Sequence, residues 1–171
     1  MHKTQPYYTT HLEDNIEKLY QSISIFEPEQ IDMIRIAEKL NIWIHFTSFG
    51  SRALCRDGLL SIFIDKRQPS YKQWEDFGHE LCHVLYHEGN QLHIFEIFRR
   101  YQEAKADNFM FHFCIPTFML RKLDFPETQK ERIYFIMQTF HVSFEFAKQR
   151  LLNYEDQLLC SWSQDNFHIH I

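Results

Sequence analysis

The stretch His79-Glu80-Leu81-Cys82-His83 decides how the rest of the chain is read. Around it, Trp74, Phe77, Leu81 and Leu85 repeat at helical spacing, so a helix is expected from about Tyr71 to His87. On a helix, positions i and i+4 share a face about one turn apart. The imidazoles of His79 and His83 therefore project side by side, nearly opposite the apolar stripe. Two neutral imidazoles so placed suit a single zinc ion, and Glu80 lies where its carboxylate reaches a water bound to that ion. The chemistry implied is proton removal from a metal-activated water that attacks a polarised carbonyl.

The pentad alone is not specific. With 11 histidines in 171 residues, an H-E-x-x-H arises by chance with a probability of roughly 5%, so a third ligand is needed. A third histidine ten residues after the first would fall at Gly89, and His87 is one helical turn too far along. The downstream segment Glu103-Ala104-Lys105-Ala106-Asp107 offers a better donor. Glu103 and Asp107 share one helix face, and Ala106, Met110 and Cys114 continue that stripe toward the core. A carboxylate on such a stripe is costly unless it is paired or bound to metal. Glu103 is thus read as the third ligand and Asp107 as the acceptor of a hydrogen bond from a ligand imidazole, leaving one coordination position for water. The plainer alternative is a helix whose second face is solvated and bears two surface histidines.

These residues resemble the ImmA/IrrE-type metallopeptidases, whose zinc-site logic is similar to thermolysin's. The resemblance starts in Ile31-Asp32-Met33-Ile34-Arg35-Ile36-Ala37-Glu38-Lys39-Leu40-Asn41-Ile42 and continues through Phe77-Gly78 and the pentad to Val84-Leu85-Tyr86-His87. It then runs through Glu103-Ala104-Lys105-Ala106-Asp107-Asn108-Phe109 to Ile115-Pro116, much like the family's E-x-x-A-(N/D)-x-F followed by a proline. Phe140-His141-Val142-Ser143 with Gln149-Arg150-Leu151-Leu152 is similar to the helical segment that closes these domains. Two departures stand out: Cys82 replaces the usual glycine, and Gly78 a common alanine. Both are small, although Gly78 costs up to about 1 kcal/mol of helix propensity. The Cys82 thiol points about 100° around the helix from His83 and reads as a buried small hydrophobe.

The resemblance implies an α+β, zincin-like fold, mainly helical with a small β-sheet and a C-terminal helical segment. Residues 1–123 are expected to form the metallopeptidase domain and 124–171 a helical segment packed on it. It further implies a zinc endopeptidase, one zinc per chain, that cuts a helix-turn-helix repressor and so induces silenced genes of a phage, mobile element or stress response. With no DNA-binding domain of its own evident at the N-terminus, the chain reads as a stand-alone protease acting on a separately encoded repressor. The rival is a non-catalytic antirepressor that binds a repressor and keeps metal for stability only, a role with no use for Glu80. A metal sensor would need a closed four-ligand site, which the spacing does not supply.

Whole-chain properties narrow the classes. Hydrophobic residues make up 44% and phenylalanine occurs 17 times, enough for a substantial core, while 4 Gly and 5 Pro argue against long linkers. A net charge of -5 gives no electrostatic case for nucleic-acid binding. The start Met1-His2-Lys3-Thr4-Gln5-Pro6 lacks the apolar run of a signal peptide, no 18-residue apolar stretch exists, and the four cysteines form no C-x-x-C pair. A cytoplasmic protein with reduced thiols, away from membranes, is expected.

Element by element, an amphipathic helix is expected over about Leu12–Ser22, and a second from Glu27-Pro28 to Leu40 with Ile31, Ile34 and Ala37 inward. Strands are expected at Ile42–Phe46, Arg52–Cys55 and Leu59–Ile64, with Asp57-Gly58 as a turn. Further helices follow near Ile97–Phe113, Pro126–Thr139 and Ser143–Asn153, the last with Ser143 as N-cap. That final pair reads as structural support or substrate docking in preference to DNA contact. The aromatic run Phe109–Phe113 reads as core. The tail Asn166–Ile171 alternates like a strand, and its histidines are given no function. Tyr86, His93 and His112, each near a motif, are candidate donors to a transition-state oxyanion.

Overall fold

The apolar stripe around His79 builds a helix that is covered on two sides. The computed structural model describes residues 7–86 and 96–167, with residues 162–167 described by backbone alone. His87, Gly89, His93 and the tail beyond Phe167 lie outside the described residues. The order is α1 (His11–Ser22), a 3-10 turn (Pro28–Gln30), α2 (Met33–Lys39), β1 (Ile42–Thr47), β2 (Arg52–Arg56), β3 (Leu59–Asp65), α3 (Ser70–Tyr86), α4 (Glu96–Cys114), α5 (Thr117–Leu120), α6 (Gln129–Phe140) and α7 (Phe144–Phe167). The fold is α+β and mainly helical. No helix among the described residues is long and apolar enough to cross a membrane.

The three strands run in the order β1-β3-β2, with β1 parallel and β2 antiparallel to β3. Asp57 and Gly58 join β2 to β3 with φ of 53° and 78°, the positive pair that a two-residue hairpin turn requires. Alternation sends Ile62 and Ile64 of β3 inward, where they are buried against α3. Both β1 and β2 are edge strands, and β2 lies beside α3.

On its other side α3 packs against α4. Phe77, Leu81, Phe109 and Phe113 are all buried there, and Trp74 stacks near Phe77 and Phe113. The helices approach closely at Gly78, where an added Cβ would sit 2.7 Å from Cys114 Sγ. Glycine stands at this position because the neighbouring helix occupies the space a side chain would need. The aromatic run at Phe109–Phe113 is core, as its composition suggested.

Two expectations need correction. Glu27-Pro28 opens only the 3-10 turn; the chain then extends through Ile31 and Asp32, and Asp32 caps a new helix by accepting the Arg35 N–H at 2.7 Å. The restart rotates the helix face, so Ile36 and Ala37 are buried while Ile34 turns to solvent. The last helix continues past Asn153 to Phe167, so Asn166 and Phe167 are helical and not part of a strand. Its start matches the expected cap, since Ser143 Oγ accepts the Phe146 N–H. The Ser143 N–H donates to the buried Glu75 of α3 at 2.8 Å.

Far along α4 from the histidine pair, a buried polar network ties α1, α5 and α7 together. Tyr7 Oη and Thr117 Oγ1 both donate to Glu13 Oε1, and the Thr10 N–H donates to Oε2. Arg150, 1% exposed, donates to Thr117 Oγ1 at 2.6 Å and to the Ile115 carbonyl at 3.2 Å. Burial alone would raise the Glu13 pKa; the hydrogen bonds from Thr117, Tyr7 and the Thr10 N–H outweigh it and hold the carboxyl below its usual range. His112 lies beside this network, 3.7 Å from Glu13. Its buried Nδ1 has no hydrogen-bond partner. Burial and the Arg150 charge push its pKa down to about 4.

Both groups bind protons less readily folded than unfolded, so stability should fall with pH. The His112 contribution is complete above about pH 6.5 and is lost as pH drops toward 4; that of Glu13 is lost at still lower pH. Glu13→Gln, which leaves the Arg150 guanidinium buried without its counter-charge, should cost about 3–5 kcal/mol in denaturant unfolding at pH 7. Gly78→Ala should also destabilise, because overpacking of about 1–3 kcal/mol outweighs the gain in helix propensity. Adding Cys114→Ala should restore its thermal midpoint.

Candidate metal centre

α3 and α4 run antiparallel through the site, since Gly78 meets Cys114 while His83 meets Glu103. This direction brings the two sequence motifs face to face. His79 Nε2 lies 3.1 Å from His83 Nε2 and 3.2 Å from Glu103 Oε2, and His83 Nε2 lies 3.6 Å from Glu103 Oε1. One ligand atom from each residue falls within 4.8 Å of the others, the one such group found among the described residues. The reading of the two histidines as solvated surface groups fails, because His83 is 7% exposed.

The protonation states test whether a cation fits. Asp107 Oδ1 lies 3.0 Å from His79 Nδ1. A carboxylate only accepts, so Nδ1 carries the proton and Nε2 is left with its lone pair. In that tautomer the lone pair faces the Glu103 carboxylate and the second imidazole, a set of nitrogen and oxygen donors suited to a cation. Ligands about 2.05 Å from a tetrahedral zinc are spaced by about 3.3–3.4 Å, close to the 3.1 Å between the two imidazole nitrogens and the 3.2 and 3.6 Å from them to one or the other Glu103 oxygen. The residues present fit the metal. Glu103 keeps 46% and Asp107 60% of their side-chain surface, which keeps both carboxylates partly hydrated.

Glu80 sits beside this group on the sheet side. Burial raises its pKa to about 7, helped by the charges of Asp76 and Glu103 and opposed by His79 and a hydrogen bond from the Ala53 backbone N–H of β2. The Ser51 hydroxyl anchors the start of β2 to α3 by donating to Asp76 Oδ2 at 2.7 Å. Sequence reading missed this contribution of β2. The Asp57-Gly58 turn announces a hairpin, but nothing in the sequence states which of its edges lies over Glu80.

The candidate donors separate. Tyr86 follows His83 on α3, 52% exposed, with its ring edge-on to Phe109. His93 lies outside the described residues. His112 is not brought to the site: its motif spacing suggested proximity, but nine residues along α4 carry it to the Glu13 network. Cys82 is buried, and burial raises its thiol pKa to about 12. It is inert packing.

Glu103→Ala should lose most bound zinc, measured by metal analysis of purified protein; full retention would remove Glu103 from the ligand set. Asp107→Ala should weaken zinc affinity by about 10- to 100-fold, and an unchanged dissociation constant in chelator competition would leave Asp107 without that role.

The chain is 44% identical over 148 residues to the phage-like element PBSX protein XkdA of Bacillus subtilis (strain 168), covering 86% of this chain and 75% of that one. It is 43% identical over 152 residues to the uncharacterized protein YqaB of the same organism, covering 89% of this chain and 88% of the relative. No solved structure matches it. A peptidase-family model, described as the IrrE N-terminal-like domain, matches residues 37–152, a span that contains both motifs, the whole sheet and the start of α7. The chain belongs to the IrrE N-terminal-like domain family.

Proposed function

We propose that this protein is a zinc-dependent endopeptidase, with one zinc per chain, that cleaves a helix-turn-helix repressor of a phage-like or other mobile element. One observation carries the reading: His79, His83 and Glu103 converge on a point, with the Glu80 carboxylate beside it and the edge strand β2 alongside. Membership of a peptidase family and likeness to a protein of a phage-like element support the reaction class and the setting.

When bound, zinc would supply a Lewis acid that acidifies a water and polarises the scissile carbonyl. The chain's own residues do the rest. Glu80 takes the proton of that water on its carboxylate and passes it to the leaving amine. Asp107 holds His79 in the tautomer whose Nε2 faces the site. Because the Ala53 N–H is turned to Glu80 and away from β3, the backbone groups of Ala53, and by alternation those of Cys55, face the edge that pairs with no other strand among the described residues, with the Ala53 N–H itself held by Glu80. That edge accepts an extended substrate segment by strand addition. A folded repressor presents such a segment only in a linker or where it unfolds locally, so cutting is confined to one or a few bonds.

The test is incubation of the purified protein with the repressor encoded beside its gene, with and without chelator, read by mass spectrometry. One or a few cuts are expected, abolished by chelator. Glu80→Gln should keep zinc and fold while cleavage falls by about 10²- to 10⁴-fold. A repressor that stays intact yet releases its operator with both wild type and Glu80→Gln would establish the non-catalytic antirepressor instead.

A further inference from the structure

The two faces of β2 present opposite charge to whatever pairs with its edge. Ser51, Ala53 and Cys55 alternate toward α3, where Asp76, Glu80, Glu103 and Asp107 gather. Arg52, Leu54 and Arg56 alternate toward the outer face of the sheet, and all three are exposed. Arg52 is held in place there. Its guanidinium lies 4.7 Å from the ring centroid of Phe49 and 5.1 Å from that of Phe63, its cross-strand partner on β3. Stacking on two rings limits its rotamers while leaving the donors along its rim available. Among the described residues Arg52 has no carboxylate partner, whereas Arg56 is paired with Asp57 at 3.6 Å. Among the described residues, a positioned cation without a carboxylate partner therefore stands on the outer row of a strand whose far edge pairs with no other strand.

We infer that Arg52 is a specificity-determining residue, selecting an acidic side chain in the extended polypeptide segment that pairs with β2. The inference rests on the strand-addition reading of that edge proposed above. In an added strand, residues opposite Arg52 or Leu54 point to the outer face, within about 4.5–8 Å of Arg52 across the strand or on the diagonal. The intervening residue points toward α3, where the gathered carboxylates repel an acid. Substrates thus carry Asp or Glu on the outer positions and neutral or basic residues on the inner ones. Arg52 acts on binding and register, not on the reacting atoms.

The test separates recognition from cleavage. Zinc-loaded, full-length protein carrying Glu80→Gln is used to select from a displayed library of random ten-residue peptides, alone and with Arg52→Glu or Arg52→Lys added. Asp or Glu should be enriched at a fixed register with Arg52, retained with Arg52→Lys, and replaced by Lys or Arg with Arg52→Glu. For one selected peptide, affinity should change by about tenfold between Arg52 and Arg52→Glu, the scale of a cross-strand charge pair turned from attraction to repulsion. Unchanged zinc content and thermal midpoint would verify that Arg52→Glu is folded. Failure to enrich any peptide, absence of an acidic preference, or a preference that survives charge reversal overturns the inference. Peptides that bind with an Arg52-dependent acidic preference but are not cut by the Glu80 protein sustain it while removing the peptidase reading.

Discussion

The close antiparallel contact of α3 and α4 is the constraint on which the rest of this structure depends. Where Gly78 faces Cys114 and Phe77 faces Phe113, the helices are pressed together by buried aromatic surface. The same contact fixes the height of His79 and His83 against Glu103 and Asp107. A shift of α4 by one turn along its axis, about 5.4 Å, would carry Glu103 out of contact with both imidazoles. The apolar packing on one side of α3 therefore does the positioning for the polar group on the other.

Electrostatics divides the interior in two. At the candidate metal centre His79, His83 and Glu103 bring nitrogen and oxygen donors together, a set that suits a cation. At the other end of α4, the Glu13 carboxylate is buried with donors on both oxygens and with Arg150 nearby, so the protein satisfies it by itself. The first arrangement leaves its carboxylates partly hydrated and suits a ligand. The second is sealed and joins α1 to α7. His112 belongs to the sealed cluster, where a proton is hard to place, and this makes it a poor candidate for chemistry despite its place on the same helix as Glu103.

Much of the local structure was legible because the responsible signals are short. Asp57-Gly58 specifies its turn through positive φ at two adjacent residues. Thr10 and Thr128 start their helices through reciprocal capping with Glu13 and Glu131. The helix from Glu27 was misread for an equally local reason: Asp32 competes as an N-cap and restarts the helix one face around. The end of α7 was misread because nothing in the sequence after Asn153 stops a helix already propagating, and it continues to Phe167.

By itself the sequence determined that two helices each carry part of a candidate metal site, because i, i+4 spacing places His79 with His83 and Glu103 with Asp107 on single faces whatever surrounds them. It also determined the elements that the site stands on, through caps, turns and apolar periodicity. Only the tertiary structure decided that these faces meet, that Ala53 of an edge strand reaches Glu80, that Arg52 stacks on Phe49 and Phe63 on the outer sheet face, and that His112 belongs elsewhere. The physical reason is range. Helical periodicity is set by bonds between residues a few positions apart, whereas the meeting of α3 with α4 and β2 is set by the packing of side chains far apart in sequence, and no single segment encodes it.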